Sequence, residues 1–521
     1  MFLRRKQNTS GSVSVQIISK VGGRYKVVKS IGSAVSQQDV AALLHQGKQA
    51  LSKLQAQQSL FVFENDALIE GFLNQLNNSQ IRTVGPELIF GKIFDAIGFN
   101  SIKEDLFRHL VIARLAFPLS KLKTVDYLYR FQGIEVTVKA IYKFLDKLNE
   151  SLKGEVERIS FKHTLNVLDG KINIVFYDMT TLYFEASDED DLRKTGFSKD
   201  GKHQSPQIFL GLLVGLGGYA VGYDIFEGNI FEGHTLMPTL EKIGKKFNLD
   251  KPVVVADAGL LTMDNINMLE ENKFEYILGA RIKNETQLIK QKIMEANLDE
   301  GQFIAIEKGP NTKLIVSYSK KRAAKDEHNR KRGLQRIEKQ IKSGKLTKKN
   351  INNRGYNKYL KIKNEITVEV DYEKFKADKK WDGLKGYVTN TKLKPDEVIE
   401  NYRNLWHIEK AFRMSKTDLR VRPIYHRLRK RIEAHICISF TAYAVYKELE
   451  RLLHQAKSSI SLQQAAELTH NMYEMVVMLP ESKQVKNILL NLNEDQAQLK
   501  KIIDAYFDKA KKEGIHAAKT D

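Results

Sequence analysis

The sequence predicts an α/β protein: a mixed sheet with helices on its faces, preceded by an α-rich region. Three observations predict it. From about residue 171, strand-length apolar runs and helical segments follow in the order β-β-β-α-β-α-β. Antiparallel strands followed by parallel strands with crossover helices make a mixed sheet covered by helices. Residues 36–160 read instead as mostly helical. Hydrophobic residues make up 42% of the 521, which suits a sizeable core and about three or four domains of ordinary size.

In chain order, "VSVQIISKVGGRYKVVKSIGS" (13–33) alternates and turns at Gly22-Gly23, a β-hairpin within a first segment 1–35. Within the helical segment 36–160, "LSKLKTVDYLYRFQGIEVTVKAIYKFLDKLNE" forms two amphipathic stretches split by Gly133, with Thr137 as cap of the second and Lys139, Lys143 and Lys147 spaced along it. A helix–turn–helix reader of DNA has this form, and so has an ordinary helical hairpin. The sheet region, 171–284, opens with a strand at 172–178 that runs into Asp178. Further strands follow at 207–216 and after Gly217-Gly218, then a helix at 235–247. A short buried strand, "VVVAD", ends at Asp257; a helix (262–272) and the strand "FEYILGAR" complete the order. Residues 285–395 form a β-rich insertion with short strands such as "KLIVSYS" and "LKGYVTNT". Inside it, 320–349 carries 13 Lys or Arg against 3 Asp or Glu, either a solvated helical arm or a phosphate-contacting one. Residues 396–417 read as one long helix and 424–452 as another, in a segment 396–455; a polar helical tail fills 456–521. No internal repeat is visible.

The charge is the most informative bulk property. Lys and Arg number 84 against 63 Asp and Glu, a net +21, and so basic a surface attracts polyanions, of which nucleic acid is the commonest large one. The single cysteine, Cys437, excludes an internal disulfide and a thiolate zinc site, which fits a reducing cytoplasm. No apolar run reaches the roughly 18 residues of a membrane span, and "MFLRRKQNTSGS" has no apolar signal-peptide core. The expectation is a cytoplasmic, nucleoid-associated protein with no membrane partner and no small-molecule cofactor.

Two carboxylates, Asp178 and Asp257, stand at strand ends. An unpaired charge at the end of an apolar strand is costly, so Asp178 is expected to leave the sheet where a cation neutralises it. Ligands gather outside the carboxyl ends of such strands, and aspartates there suit Mg²⁺, which prefers carboxylates, phosphate oxygens and water. Tyr402, Glu409 and Lys416 follow at seven-residue steps, nearly two helical turns, and so share one face. Glu409 either joins the metal site or simply pairs with Arg413 one turn on.

These residues carry a resemblance. In "VFYDMTT", "VVVADAG" and "NYRNLWHIEKAFRMSK", in that order over about 171–450, the chain resembles the DDE transposases of bacterial insertion sequences, in the subgroup with a Tyr-Arg-Glu-Lys signature. The resemblance implies an RNase H-like core with Asp178, Asp257 and Glu409 as catalytic metal ligands, and two Mg²⁺ ions with Mn²⁺ as substitute. It implies cut-and-paste transposition: metal-dependent cleavage at element ends, then strand transfer into target DNA by a homodimer on double-stranded DNA. Tyr402 and Lys416 match the signature and, with Arg413, are expected to contact DNA. The signature's Arg position holds Leu405, with Arg403 displaced to the other side of the helix, which admits a weakened enzyme. Asn229 and His234, in "EGNIFEGHTL", are candidates to support the ligands or to serve local turns. The alternatives are a nuclease of the same fold without strand transfer, or a DNA-binding protein that has lost its chemistry. Of the two tryptophans, Trp406 is expected in the core, and Trp381, among lysines, is expected either exposed as a platform for an unpaired base or packed inside the insertion.

Overall fold

The computed structural model describes residues 1–21, 23–58, 64–74, 76–196, 201, 204–346, 348–352, 355–362, 368–479 and 482–512. They form two compact units, 1–80 with 476–487, and 81–475 with 488–521.

In the first unit, β1 (Phe2–Gln7), β2 (Val13–Val21) and β3 (Arg24–Ala34) make an antiparallel sheet. The expected hairpin is β2–β3, with Val21 paired to Arg24; Gly22 of its turn lies outside the described residues. The outer strand β1 was not expected. Val15, Ile17 and Ile18 are buried, and α1 (Gln37–Gln58) packs close enough that Gly32 and Gly47 abut Leu43 and Leu3. Helix α2 spans Glu64–Leu73.

The second unit begins with a short strand, β4 (Ile81–Thr83), and a helical run: α3 (Lys92–Ile97), α4 (Asp105–Ala116), α5 (Lys121–Tyr127), α6 (Val138–Lys147) and α7 (Lys153–Val167). The expected pair of segments around Gly133 is α5 and α6. Gly133 takes a left-handed φ of 67°, and the Thr137 hydroxyl accepts from the Ala140 N–H at 3.1 Å, as a cap should. The sheet region contains β5 (Ile174–Tyr183), β6 (Gln207–Gly215), β7 (Ala220–Glu227), α8 (Leu236–Phe247), β8 (Val253–Ala256), α9 (Met263–Glu271) and β9 (Tyr276–Ala280). Next come α10 (Gln287–Glu295), β10 (Phe303–Glu307), β11 (Lys313–Tyr318), α11 (Lys320–Lys342), β12 (Leu360–Ile362), β13 (Val368–Val370), α12 (Tyr372–Ala377) and β14 (Leu384–Thr389). The chain continues through α13 (Pro395–Arg403), α14 (Trp406–Arg413), α15 (Arg429–Gln455), α16 (Leu462–Thr469), β15 (Tyr473–Met478), which pairs with β4, and α17 (Glu494–Lys512).

Eight strands form one sheet in the order β10-β11-β14-β9-β8-β5-β6-β7. The β5–β8 and β8–β9 pairs are parallel and the rest antiparallel. The period of two along β5 sends Phe176 and Leu182 into one core with α4, α14 and α15, and Val175, Tyr177 and Met179 into another with α8 and α9. α15 is buried along most of its length, because it is packed on several sides.

Four expectations are corrected. The tail expected to be helical over 456–521 contains β15, because β4 pairs with it. β5 does not stop at Asp178 but runs to Tyr183, because β6 pairs with it throughout. The strands expected in a separate insertion extend the main sheet instead: β14 pairs with β9, and β11 with β14. Tyr318 lies opposite Leu384 on that ladder, so 319–383 is an excursion that leaves one hairpin and returns to it. The long helix expected at 396–417 is broken at Asn404 and Leu405 into α13 and α14, and 414–418 relaxes into a π turn.

Candidate active site

Asp178 and Asp257 are brought side by side by register. β5 and β8 run parallel with Tyr177 opposite Ala256, so each aspartate is the next residue beyond the last pair. β8 ends there and β5 continues, which leaves the β8-side edge of β5 open at Asp178. Asp178 therefore stays in the sheet at half-burial, its Oδ1 accepting its neighbour Met179 N–H at 2.7 Å. Asp257 enters a turn, and its Oδ1 accepts the Gly259 N–H at 2.7 Å.

The third carboxylate arrives on α14, which lies over the β5 face bearing Phe176 and Asp178; the Phe176 and His407 rings are 6.2 Å apart. Glu409 is exposed and makes no ion pair among the described residues, so the alternative pairing with Arg413 is not formed. Tyr402 is buried rather than offered to solvent. Its ring packs edge-on to Tyr387 at 4.9 Å, and its hydroxyl fills the space above Gly279, where a Cβ would come within 2.4 Å. Burial, then the fields of Asp257, Tyr387 and Glu409, push the Tyr402 hydroxyl's pKa up. Lys416 is half-buried over Phe412 at 5.9 Å, and Arg413 is exposed.

Leu405 is 7% exposed and anchors the break between the two helices in the core. Arg403, displaced from the signature position, faces solvent and pairs with Glu400 at 3.5 Å. Cations reach the site from elsewhere. Lys385, on β14, holds its ammonium 4.3 Å from the Tyr402 ring centroid and has no ion pair among the described residues. Burial, then Arg322, lower its pKa to about 8, against the pull of Glu409 and Asp257. Lys385, Arg322 and Tyr402 share a cavity of about 770 Å³ between α11 and the sheet. The basic run that holds Arg322 is thus a helix with one packed face, where Arg330 pairs with Asp382 at 2.6 Å and Ile337 is buried. Thr347 of that run lies outside the described residues.

Trp381 is 9% exposed in the core beneath this cavity. Of the two alternatives Trp381 takes the packed one, in the core of the main sheet rather than in that of the excursion; Asp378, bonded to Lys283 and Lys358, and Asp382, bonded to Arg330, flank its turn. Trp406 is the reverse case, 49% exposed at the start of α14 instead of core, with Lys410 above its ring at 5.6 Å. In "EGNIFEGHTL", Asn229 and His234 are exposed, and the His234 ring stacks edge-on to Phe231 at 5.4 Å. Sequence reasoning missed Glu232 between them. A Cβ on Gly259 would meet Asp257 Oδ1 at 2.8 Å and Glu232 Oε2 at 3.5 Å, so the two carboxylates flank this glycine. The available signal was an acid in a segment already linked to the aspartates.

The donors are all carboxylate oxygens, the set preferred by hard cations such as Mg²⁺ or Mn²⁺. That chemistry fits a divalent cation. The side chains are not drawn together to coordination distance: among the described residues no three His, Cys, Asp or Glu are gathered closely enough to hold an ion.

No curated protein matches the chain. Among solved structures, the piggyBac transposase synaptic complex with hairpin DNA aligns over 74% of this chain and 78% of its own, with 8% identity and a TM-score of 0.37. The Mos1 transposase paired-end complex with left transposon end aligns over 30% of this chain and 53% of its own, with 11% identity and a TM-score of 0.15. Residues 169–445, which run from just before β5 into α15 and carry all three carboxylates, match the family described as the transposase DDE domain; the chain belongs to that family.

Proposed function

We propose that this transposase cuts DNA at the ends of a mobile element and joins the freed ends to target DNA. The observation that carries the reading is the meeting of Asp178 and Asp257 on adjacent parallel strands beneath α14, which bears Glu409. The order β7-β6-β5-β8-β9 supports an RNase H-like core around them. Asp178, Asp257 and Glu409 would hold a pair of divalent cations, Mg²⁺ with Mn²⁺ as substitute, whose chemistry is to neutralise phosphate charge and acidify water. Hydrolysis of a phosphodiester leaves a 3′-hydroxyl. That hydroxyl then attacks a target phosphodiester, forming one P–O bond as another breaks. Lys385 lines the cavity beside the carboxylates, where its ammonium, seated over the buried Tyr402 ring, can hold the scissile strand in place. Arg413 and Lys416, further along the same helical run, extend the contact. Joining two ends to one target calls for a homodimer on double-stranded DNA.

The test uses the full chain, Mg²⁺ and duplexes bearing the inverted repeats that flank its reading frame. The wild type should release ends and join them to a target plasmid. Asp178→Asn, Asp257→Asn and Glu409→Gln should each lower both reactions by at least about 100-fold, as expected for loss of charge stabilisation, with binding retained. End release without joined product would identify a nuclease. Undiminished cleavage by any of the three variants would remove that residue from the site.

A further inference from the structure

A second cavity, of about 430 Å³, lies among the end of α4, the start of α5, the 419–426 loop and α15. Arg114, Lys121, Arg420 and Arg422 line it together with two histidines, and no Asp or Glu does. Arg114 and Lys121 are each only 7% exposed. Arg114 donates long hydrogen bonds to the Leu419 and Arg420 carbonyls, at 3.5 and 3.4 Å, and Lys121 has no ion pair or hydrogen bond among the described residues. Asp146, in the last turn of α6, is taken up by Arg431 at 2.8 Å and by Lys430. His435 donates from Nε2 to the Val421 carbonyl at 2.9 Å, which leaves its Nδ1 buried without a partner. Burial, followed by the charges of Arg114 and Lys121, depresses both His426 and His435, so neither can be read as a further compensated cation.

Burial, then the charge of Arg114, pushes the Lys121 pKa well below the usual lysine value, and no acid in the cavity lining offsets either base; a bound anion would supply the opposite charge that this pair lacks. The rim is apolar and open, with Tyr425 and Leu122 exposed, which suits the sugar or base attached to an anion. Phe184, just past the end of β5, bridges to Ile424 in the loop, and the Ile424 N–H bonds the Tyr183 carbonyl at 3.0 Å. The cavity therefore lies about 17 Å along β5 from Asp178, at the rise of an extended strand, and is separate from the carboxylate site.

We propose that this cavity is a phosphate-binding site, with Lys121 and Arg114 as its buried contacts, and that it takes a phosphate of a nucleic-acid strand or of a free nucleotide. The test uses the full chain without metal, so it does not depend on cleavage. Thermal unfolding is followed with inorganic phosphate against chloride at matched ionic strength, and duplex binding is followed by anisotropy across salt concentrations. Phosphate should raise the wild-type Tm. Lys121→Met should match or exceed the wild-type Tm without phosphate, because a buried amine with no partner is removed, and should gain nothing when phosphate is added. A lysine serving only structure would instead lower the Tm. If the natural ligand is a DNA phosphate, Lys121→Met also flattens the slope of log K against log salt by about one; an unchanged slope assigns the site to a free phosphate. Lys121→Gln, which keeps a polar tip, serves as the second variant should the first fail to fold. Equal responses of the wild type and a folded variant in both measurements would overturn the proposal.

Discussion

Glu448 is fully buried in α15 and accepts two hydrogen bonds from Arg451, with His163 Nε2 3.4 Å away. Burial alone would raise its pKa, but the Arg451 bonds and then His163 overcome this and hold it at about 2, from the ordinary 4.5. A carboxyl depressed in the folded state contributes stability that is full above the unfolded pKa and lost as pH falls through the folded one. Acid unfolding should therefore gain a component between pH 4.5 and 2 that Glu448→Gln removes, readable in Tm against pH. Glu448→Ala should cost about 3 kcal/mol by leaving Arg451 uncompensated. The tryptophans give a second residue-scale test. Acrylamide should quench mainly Trp406, so Trp406→Phe abolishes most of the quenchable emission and Trp381→Phe little of it. Trp381→Ala should destabilise by about 3 kcal/mol through the cavity it leaves. Efficient quenching of Trp381 would restore the exposed reading. The sequence misplaced Trp406 and left Trp381 open: lysines around "KKW" describe only the chain neighbours of Trp381, whereas Asp378 and Asp382 beside it pair with distant residues.

At the scale of elements, the break between α13 and α14 decides what position 405 can do. With Leu405 in the core, an arginine there would not reach the carboxylates; it would bury a charge. Leu405→Arg should therefore lower stability by about 3 kcal/mol or more and leave DNA cleavage no faster, as chemical denaturation and a cleavage time course would show. Faster cleavage with unchanged stability would mean that the helical run straightens and presents the arginine to the site. The heptad spacing of Tyr402, Glu409 and Lys416 is real in the sequence, but one face is guaranteed only on an unbroken helix. The turn at 404–405 and the π turn after Arg413 redistribute those side chains between core, solvent and cavity.

Across the whole molecule, the sheet gathers more of the chain than expected. Because Tyr318 faces Leu384, residues 319–383 can in principle be replaced by a two-residue Asn-Gly turn that suits an antiparallel hairpin. The excursion has a small core of its own around Ile337, Tyr359, Leu360 and Val370. The shortened protein should keep a single cooperative unfolding transition at a lower Tm, the loss reflecting Trp381. Aggregation without such a transition would show that the sheet needs the excursion. By itself the sequence determined the strand and helix order of the sheet region, the hairpin at 13–33 and the cap at Thr137. Those follow from local periodicity, turn residues and short motifs, which are written in neighbouring positions. Tertiary structure decided the continuation of β5 past Asp178, the joining of β14 to β9, the bend at Leu405, the placement of Glu232 and Lys385 near the aspartates, and which tryptophan is buried. Each of these depends on pairing, burial or charge between residues far apart in the chain, where no local pattern carries the information.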